Sequence, residues 1–416
     1  MNTFVIQGGK PLCGTVAVTG SKNAALPILA SSLLSGDKVL LKEIPALTDV
    51  KIMCEILSVL GCRMDQKNVN EVIVDTRKLN HCIVPYELAG LLRGSILVMG
   101  PLLARLGQVQ IAMPGGCPIG ARPVDLHIKG FAALGASITT AEGCIIATAK
   151  KLHGAKIYLD FPSVGATENI MSAAVLAQGD TIIENAAVEP EVVDLANFLC
   201  SMGAKISGAG TDTIKITGVT SLHGTQYTIM PDRIEAGTLL VAAAATGGCV
   251  TVTNILPEYS KPMTAKLLEM NVPITMGENT ISIHGGGALQ AVDVKTLPFP
   301  GFPTDMQAPM TALLSIARGI ALVTETIFEN RFMHVAELCR MGASIKVAGR
   351  CAMIEGCNHL TGAKVTATDL RAGAALVIAG LAARGDTEIS DIHHIDRGYA
   401  ALEKKLQQLG ADIRRK

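Results

Sequence analysis

Leu134-Gly135-Ala136 closes an apolar stretch of helical period, and variants of the same phrase occur five more times along the chain. Leu60-Gly61-Cys62, Met202-Gly203-Ala204, Met270-Asn271-Val272, Met341-Gly342-Ala343 and Leu409-Gly410-Ala411 are the others. A Gly or Asn just past the last helical residue is a left-handed C-cap signal. These anchors stand 74, 68, 68, 71 and 68 residues apart. That period exceeds those of solenoid repeats, so each copy can form a compact subdomain. Working outward from the anchor, each copy begins with a small-residue helix, such as Ala24–Leu34, Gly90–Leu103 or Ala372–Ala383. Five of the six then turn on Gly into a β-branched strand, such as Thr181-Ile182-Ile183. A loop and a second helix lead to the anchor, and an alternating hairpin follows, such as Ser137–Thr140 with Cys144–Thr148. The first helices are too uniformly apolar for a clean amphipathic stripe, which predicts helices covered on most sides.

The chain ends carry the topology. The sixth copy stops at Ala411-Asp412-Ile413, short of its remaining strands. Phe4–Gln7 and Gly14–Val18 read as the missing ones, so residues 1 to about 20 are expected to complete the last copy. Two chain crossings, near residues 20 and 230, would then join two halves. One expected domain is 21–230; the other is 1–20 plus 231–416. A cleft between pseudo-symmetric halves is an expected ligand site.

Composition narrows the class of function. The 416 residues exceed one ordinary core. Apolar residues make up 49% and aromatics 3%, with no Trp, so cores must be built from Ala, Val, Ile, Leu and Met. Lys plus Arg balance Asp plus Glu at 36 each, and no charged block argues for nucleic acid or a membrane surface. No apolar run approaches the roughly 20 residues of a membrane span. No basic-then-apolar leader opens the sequence, and none of the 11 cysteines forms a C-x-x-C pair. A reducing cytoplasm is therefore the expected compartment.

Charges recur at two loop positions. The turn entering the first helix carries Lys22-Asn23, Glu168-Asn169, Asp232-Arg233, Thr304-Asp305 and Asp369-Leu370-Arg371. The loop after the first helix's strand carries Glu329-Asn330-Arg331, His394-Ile395-Asp396-Arg397 and, in the long second copy, the insert Pro114–Pro123. Equivalent positions lie at one end of a repeat, so these cations would converge on a substrate bearing carboxylate and phosphate. For any single Arg a solvated surface pair is the better reading; the shared positions weaken that reading for the set. Cys117 follows two glycines and lies five residues before Arg122, a setting for a reactive thiolate. The bland alternative is a small buried hydrophobe, and that is the reading of the other ten cysteines. Ser163-Val164-Gly165 opens a helix, either as an ordinary N-cap or as a phosphate site. Asp305 is a general base or a cap. The scattered histidines suggest no metal site, and no cofactor is expected.

Six phrases together carry a family resemblance. They are Ser21-Lys22-Asn23-Ala24-Ala25-Leu26-Pro27, Pro114-Gly115-Gly116-Cys117, Gly120–His127, Pro303-Thr304-Asp305-Met306-Gln307, Glu329–His334 and His394–Tyr399. They closely resemble the UDP-N-acetylglucosamine 1-carboxyvinyltransferase (MurA) family of enolpyruvyl transferases. The resemblance implies an α/β protein of two inside-out α/β barrel domains, each of three repeated βαβαββ-type units, closing over the substrates. It implies transfer of enolpyruvate from phosphoenolpyruvate to the 3′-hydroxyl of UDP-N-acetylglucosamine, with release of phosphate. Asp305 would be the base and Asn23 would hold the hydroxyl. Cys117 would be the acid toward C3 or a transient nucleophile on C2, and the site of fosfomycin alkylation. Lys22, Arg93, Arg122, Arg331, Arg371 and Arg397 would neutralise phosphate and carboxylate. Pro123, Val124, Asp125, Leu126, Ser163, Val164 and Gly165 would meet the uridine diphosphate, and Ile327 the substrate. A monomer or weak homo-oligomer is expected.

Three positions depart from the family pattern. Leu97 stands where many members have Trp, Phe161 where many have Lys, and Pro118 where Ala, Ser or Thr is commoner. The nearest alternative, 3-phosphoshikimate 1-carboxyvinyltransferase, lacks the Pro-Gly-Gly-Cys loop. A catalytically silent nucleotide-sugar-binding regulator would not need the charge set at Lys22, Cys117, Asp305 and Arg397.

Overall fold

All six anchors end helices in the left-handed conformation. Gly61, Gly135, Gly203, Gly342 and Gly410 have φ of 103°, 94°, 103°, 93° and 92°, and Asn271 has φ of 65°. The computed structural model describes every residue except 1, 2, 114, 116–118, 121, 122 and 286. Its strands form six small mixed sheets of four strands each. In the third copy the first strand, Lys156–Tyr158, runs parallel to Asp180–Glu184, with Lys156 opposite Ile182. Asp180–Glu184 is antiparallel to Thr213–Thr217, which pairs with Lys205–Ser207 as a hairpin. The other five sheets repeat this order, with one parallel and two antiparallel pairings.

The N-terminal strands divide between two sheets. Phe4–Gln7 lies between Asp386–Ser390 and Asp412–Arg415, with Phe4 opposite both Ile389 and Arg415, and so completes the sixth sheet. Cys13–Ala17 instead runs parallel to Cys249–Thr253 as the first strand of the fourth sheet. The expectation that both strands finish the last copy is corrected here for the second. A hairpin needs one closing strand, and the sixth sheet already has it in Phe4–Gln7. Likewise Gln226–Thr228 supplies the first strand of the sheet built on Lys38–Lys42.

The chain forms two compact units, one holding residues 3–19 and 231–416 and the other the bulk of 20–230. In the first unit the helices Arg233–Ala245, Gln307–Leu314 and Leu370–Ala382 pack on one another. Nearly every residue on them is buried, which explains their Ala-rich, stripe-free composition. Phe4, Ile6, Leu12 and Val16 join the same core as Leu239, Leu313 and Leu376. In the second unit Val164–Ala174 packs closely on Met99–Leu106 and Asp125–Ala133. Close approach depends on glycine: a Cβ on Gly100 would collide with the Asn169 carbonyl, and one on Gly130 with Ile170.

The second copy departs from its predicted helix over 90–103. The segment splits into Tyr86–Leu91, a 3-10 stretch Arg93–Val98, and Met99–Leu106. Leu92 is extended, with φ −132° and ψ 115°, and this break sets Arg93 at a helix start.

Candidate active site

Asp305 lies in a single 3-10 turn, Thr304–Met306, ahead of Gln307–Leu314. Its two oxygens are held by different guanidiniums. Arg331 Nη2 donates to Oδ1 at 2.6 Å, and Arg371 Nη2 donates to Oδ2 at 2.8 Å. Both arginine side chains are nearly inaccessible, at 4% and 3%, whereas Asp305 keeps 25% exposure. The carboxylate is thus clamped from the protein side while one face remains reachable. Such charge-assisted bonds fix orientation as well as charge. Arg371 stacks on Tyr399, with its guanidinium carbon 5.2 Å from the ring centre. Burial opposes its charge, but Tyr399, Asp305 and Asp232 outweigh that, and its proton is held more tightly than in a free arginine.

Behind this clamp lies a second layer. Arg331 Nη1 donates to Thr304 Oγ1 at 2.6 Å, and Thr304 Oγ1 donates to Glu325 Oε2 at 2.8 Å. Ile327, expected at the substrate, donates its backbone N–H to Glu325 Oε1 at 2.8 Å. Arg331 also lies 5.2 Å from the centre of the Phe328 ring. Arg397 ends the 3-10 turn Ile392–Arg397. That turn is anchored by Arg415, whose two Nη atoms bond Asp396 at 2.8 and 2.7 Å. Asp305, Ile327, Arg331, Arg371 and Arg397 all belong to the first unit.

In the second unit Lys22 begins the helix Lys22–Ser31, with Asn23 next to it. Lys22 is buried, and its Nζ lies 3.3 Å from Asp49 Oδ2, itself buried. An ammonium with a buried counter-charge is a positioned cation rather than a solvated one. Pro123 and Val124 lead into Asp125–Ala133, and Ser163 caps Val164–Ala174, accepting from Ala166 N at 3.4 Å. His127 joins these two segments. Its ring would stand 3.5 Å from a Cβ placed on Gly165, and its Nδ1 pairs with Asn169 Nδ2 at 3.0 Å. Burial, reinforced by Arg93, pulls the His127 pKa down to about 4, so the imidazole is neutral near pH 7. The segments 123–126 and 163–165 and the Arg93 charge thus share one neighbourhood. Leu97 is buried and Phe161 half exposed.

Cys117 and Arg122, both central to the sequence reading, lie outside the described residues, as does Pro118. The ten described cysteines are all free thiols. Among the described residues no group of three or more His, Cys, Asp and Glu is arranged to hold a metal ion. No described helix is long and apolar enough to cross a membrane.

Sequence reasoning missed Glu325, Asp49 and the two buried histidines. Glu325 carried no distinct signal: directly after the strand equivalent to Ile320–Thr324 two other copies also place an acid, Glu43 and Asp391, and two place Asn. His127 and His334 each stand seven residues before an anchor, at Leu134 and Met341. The other four copies have Met or Leu there, namely Met53, Leu195, Met263 and Leu402.

The family profile of EPSP synthase (3-phosphoshikimate 1-carboxyvinyltransferase) matches residues 6–406. UDP-N-acetylglucosamine 1-carboxyvinyltransferase 1 of Caldanaerobacter subterraneus subsp. tengcongensis is 58% identical over 415 residues, covering 99% of each chain. The enzyme of that name from Staphylococcus aureus is 56% identical over 418 residues, covering 100% of this chain and 99% of its own. Among solved structures, the enolpyruvyl transferase NikO from Streptomyces tendae superposes with a TM-score of 0.90 at 26% identity, over 100% of this chain and 98% of its own. EPSP synthase from Acinetobacter baumannii superposes with a TM-score of 0.77 at 18% identity over the whole of both chains, a likeness of fold. The chain belongs to the UDP-N-acetylglucosamine 1-carboxyvinyltransferase (MurA) branch of the enolpyruvyl transferase family.

Proposed function

We propose that this chain transfers the enolpyruvyl group of phosphoenolpyruvate to the 3′-hydroxyl of UDP-N-acetylglucosamine, releasing phosphate, the first committed step of peptidoglycan synthesis. The observation that carries the reading is identity of 53–58% along the whole chain to enzymes bearing that activity's name. Identity to the 3-phosphoshikimate enzyme of solved structure is only 18%, which disfavours that alternative. The two compact units correspond in this reading to the two inside-out domains of the family, 21–230 and 1–20 plus 231–416. The reaction belongs in the cytoplasm, and the chain acts as a monomer or weak homo-oligomer.

The chemistry asks for a base, an acid and cations. As the sugar oxygen bonds to C2 of phosphoenolpyruvate, its proton passes to Asp305, and C3 gains a proton from Cys117. The tetrahedral adduct then loses phosphate from C2 and a proton from C3, restoring the double bond; the Cys117 thiolate takes the C3 proton back, and the proton held by Asp305 leaves with the phosphate. Asn23 holds the hydroxyl. Lys22, Arg93, Arg122, Arg331, Arg371 and Arg397 neutralise the phosphate and carboxylate. Ile327 meets the substrate, and Pro123–Leu126 with Ser163, Val164 and Gly165 meet the uridine diphosphate, whose phosphates suit free N–H groups at a helix start.

The deciding experiment follows phosphate release from phosphoenolpyruvate. Release should require UDP-N-acetylglucosamine. Asp305→Asn should lower turnover by roughly 10²-fold or more while keeping the wild-type circular dichroism. Release with shikimate 3-phosphate in place of the nucleotide sugar, or near-normal turnover in Asp305→Asn, would overturn the reading.

A further inference from the structure

The residue that follows the second strand of each copy sorts the six into two groups. Glu43, Asn185, Asn254 and Asp391 hold that place with φ of 57°, 54°, 55° and 54°. Two of them stitch the turn to the first strand's end: Asn185 donates to Leu159 O at 2.7 Å and Asn254 to Val18 O at 2.9 Å. In the second and fifth copies the place belongs to Met113 and Glu325, and neither is left-handed. Met113 leads into the segment that carries Cys117. Glu325 leads to Ile327 and Arg331. The exceptions to the repeat are thus the two copies whose loops carry the largest share of the proposed chemistry.

Glu325 is fully buried and surrounded by donors. Its Oε1 accepts from Thr296 Oγ1 at 2.9 Å, Ile327 N at 2.8 Å and Phe328 N at 3.1 Å. Its Oε2 accepts from Thr304 Oγ1 at 2.8 Å. Thr296 has its proton to give, because its oxygen already accepts from Thr326 N at 2.9 Å. All four partners donate, so the site is built for a group that only accepts. The Thr304 contact has a direction that matters. A hydroxyl has one proton, and here Glu325 takes it. Thr304 can then offer Arg331 Nη1, 2.6 Å away, only lone pairs. The other end of the same guanidinium holds Asp305 Oδ1 at 2.6 Å.

We propose that Glu325 is a positioning residue for the enolpyruvyl transfer, acting along the line Glu325, Thr304, Arg331, Asp305. Its carboxylate sets the polarity of the Thr304 hydroxyl, and the hydroxyl seats Arg331 so that the guanidinium aims Asp305. The same carboxylate fixes the backbone at Ile327. The proposal rests on Asp305 serving as the base.

Glu325→Gln separates this role from simple loop anchoring. The amide oxygen can keep the three donors at Oε1, but an NH2 then stands where Oε2 was. Amide, hydroxyl and guanidinium donors would all meet at Thr304. Thr304→Val removes the hydroxyl at constant shape. Each change should lower kcat by roughly ten- to a hundredfold through misplacement of the reacting groups, with a smaller change in KM for phosphoenolpyruvate. The double variant should be no slower than the worse single one, because both cut the same line. Thr304→Ser, which restores the hydroxyl, should recover most of the loss seen in Thr304→Val. Multiplying effects in the double variant, or unchanged kcat in either single one, would overturn the proposal. Should Glu325→Gln fail to fold in a thermal melt, the Val and Ser pair at Thr304 decides alone. Asp305→Asn is measured beside them. Near-normal turnover there removes the base assignment itself, whereas an impaired Asp305→Asn with a multiplicative cycle removes only the role of Glu325.

Discussion

Counted back from Gly179 and Gly385, Ser163 and Asp369 hold the same place in their copies, as do Gly165 and Arg371. The two helix starts are finished differently. Asp369 closes its own, accepting from Arg371 N at 2.8 Å and Ala372 N at 3.0 Å. Arg371 then extends to Asp305. Ser163 makes one long cap bond, and Gly165 leaves the space beside His127 without a side chain. A repeated scaffold supplies the same dipole end twice. In one unit the backbone amides are presented; in the other they are satisfied internally and a side chain is lent to the chemistry. The capping side chain sets the difference: the Asp369 carboxylate takes two amide protons, the Ser163 hydroxyl one over a longer distance.

The sharpest way to break this contrast is to write one unit's solution into the other. Gly165→Arg should fill the open start and reduce UDP-N-acetylglucosamine affinity by roughly a thousandfold, about 4 kcal/mol. Titration calorimetry reads this directly; unaltered affinity would show that the nucleotide does not use that helix start. The complementary change, Arg371→Ala, leaves the other start closed by Asp369 and withdraws the side chain it lends. It strips Asp305 Oδ2 of its 2.8 Å partner, and turnover should fall roughly 10²-fold, the usual cost of one preorganised donor. The associated stability loss should be roughly 2 kcal/mol, reduced from the fully buried case because Asp305 is 25% exposed. Turnover and thermal melts on the same preparation check both numbers.

The paired histidines allow a subtler test. Burial, with Arg93 beside it, lowers the pKa of His127 to about 4. Burial likewise lowers His334 to about 4, with Arg331 adding and Asp369 opposing. Below the unfolded value near 6.5 the unfolded chain binds these protons and the folded one does not. Each histidine's contribution is therefore whole above pH 6.5, declines as the pH falls, and levels off below 4. Between pH 6.5 and 5 the loss is roughly 2 kcal/mol per histidine. Glu168, whose pKa burial and the neighbouring Glu191 and Glu189 push well up, acts in the opposite direction. So does Asp194, raised to about 6 by burial. The informative quantity is accordingly the difference between wild type and His127→Leu or His334→Leu in chemical denaturation at the two pH values. Identical pH slopes would mean that these imidazoles titrate alike in both states. The smallest expected effects concern the caps themselves. Asp369→Ala should cost about 2 kcal/mol and Ser163→Ala about 0.5 kcal/mol, following two good bonds against one long one.

The sequence made the repeat legible because a helix end leaves a chemical mark. Six residues chosen for left-handed backbone can be found by eye, and all six adopt it. Hairpins such as Ser137–Ala141 with Cys144–Thr148 were legible through alternation. The break at Leu92 was not, because neither proline nor a polar cap marks it; Pro101 sits within the following helix instead. The allotment of Cys13–Ala17 to the fourth sheet was hidden because its partner strand lies more than 230 residues away, with Cys13 opposite Cys249. Asp305 and Arg331 were identified through family phrases, but their grip on each other is a fact of tertiary placement. Glu325 shows the limit most clearly. A lone acid after a strand says nothing of the four donors that reach it from three segments.

The woven N-terminus has a consequence for how the protein is made. Phe4 pairs with Arg415, and Val16 with Val252. On a ribosome adding about 5–20 residues per second, the first strand emerges roughly 20–80 s before its last neighbour exists. The intervening stretch, meanwhile, can condense around its own helices. Synthesis thus leaves a short apolar strand waiting in solvent as an open hydrogen-bonding template, the kind of segment nascent-chain chaperones shield. Slowing translation late in the message should lengthen that wait without touching any residue of the finished enzyme.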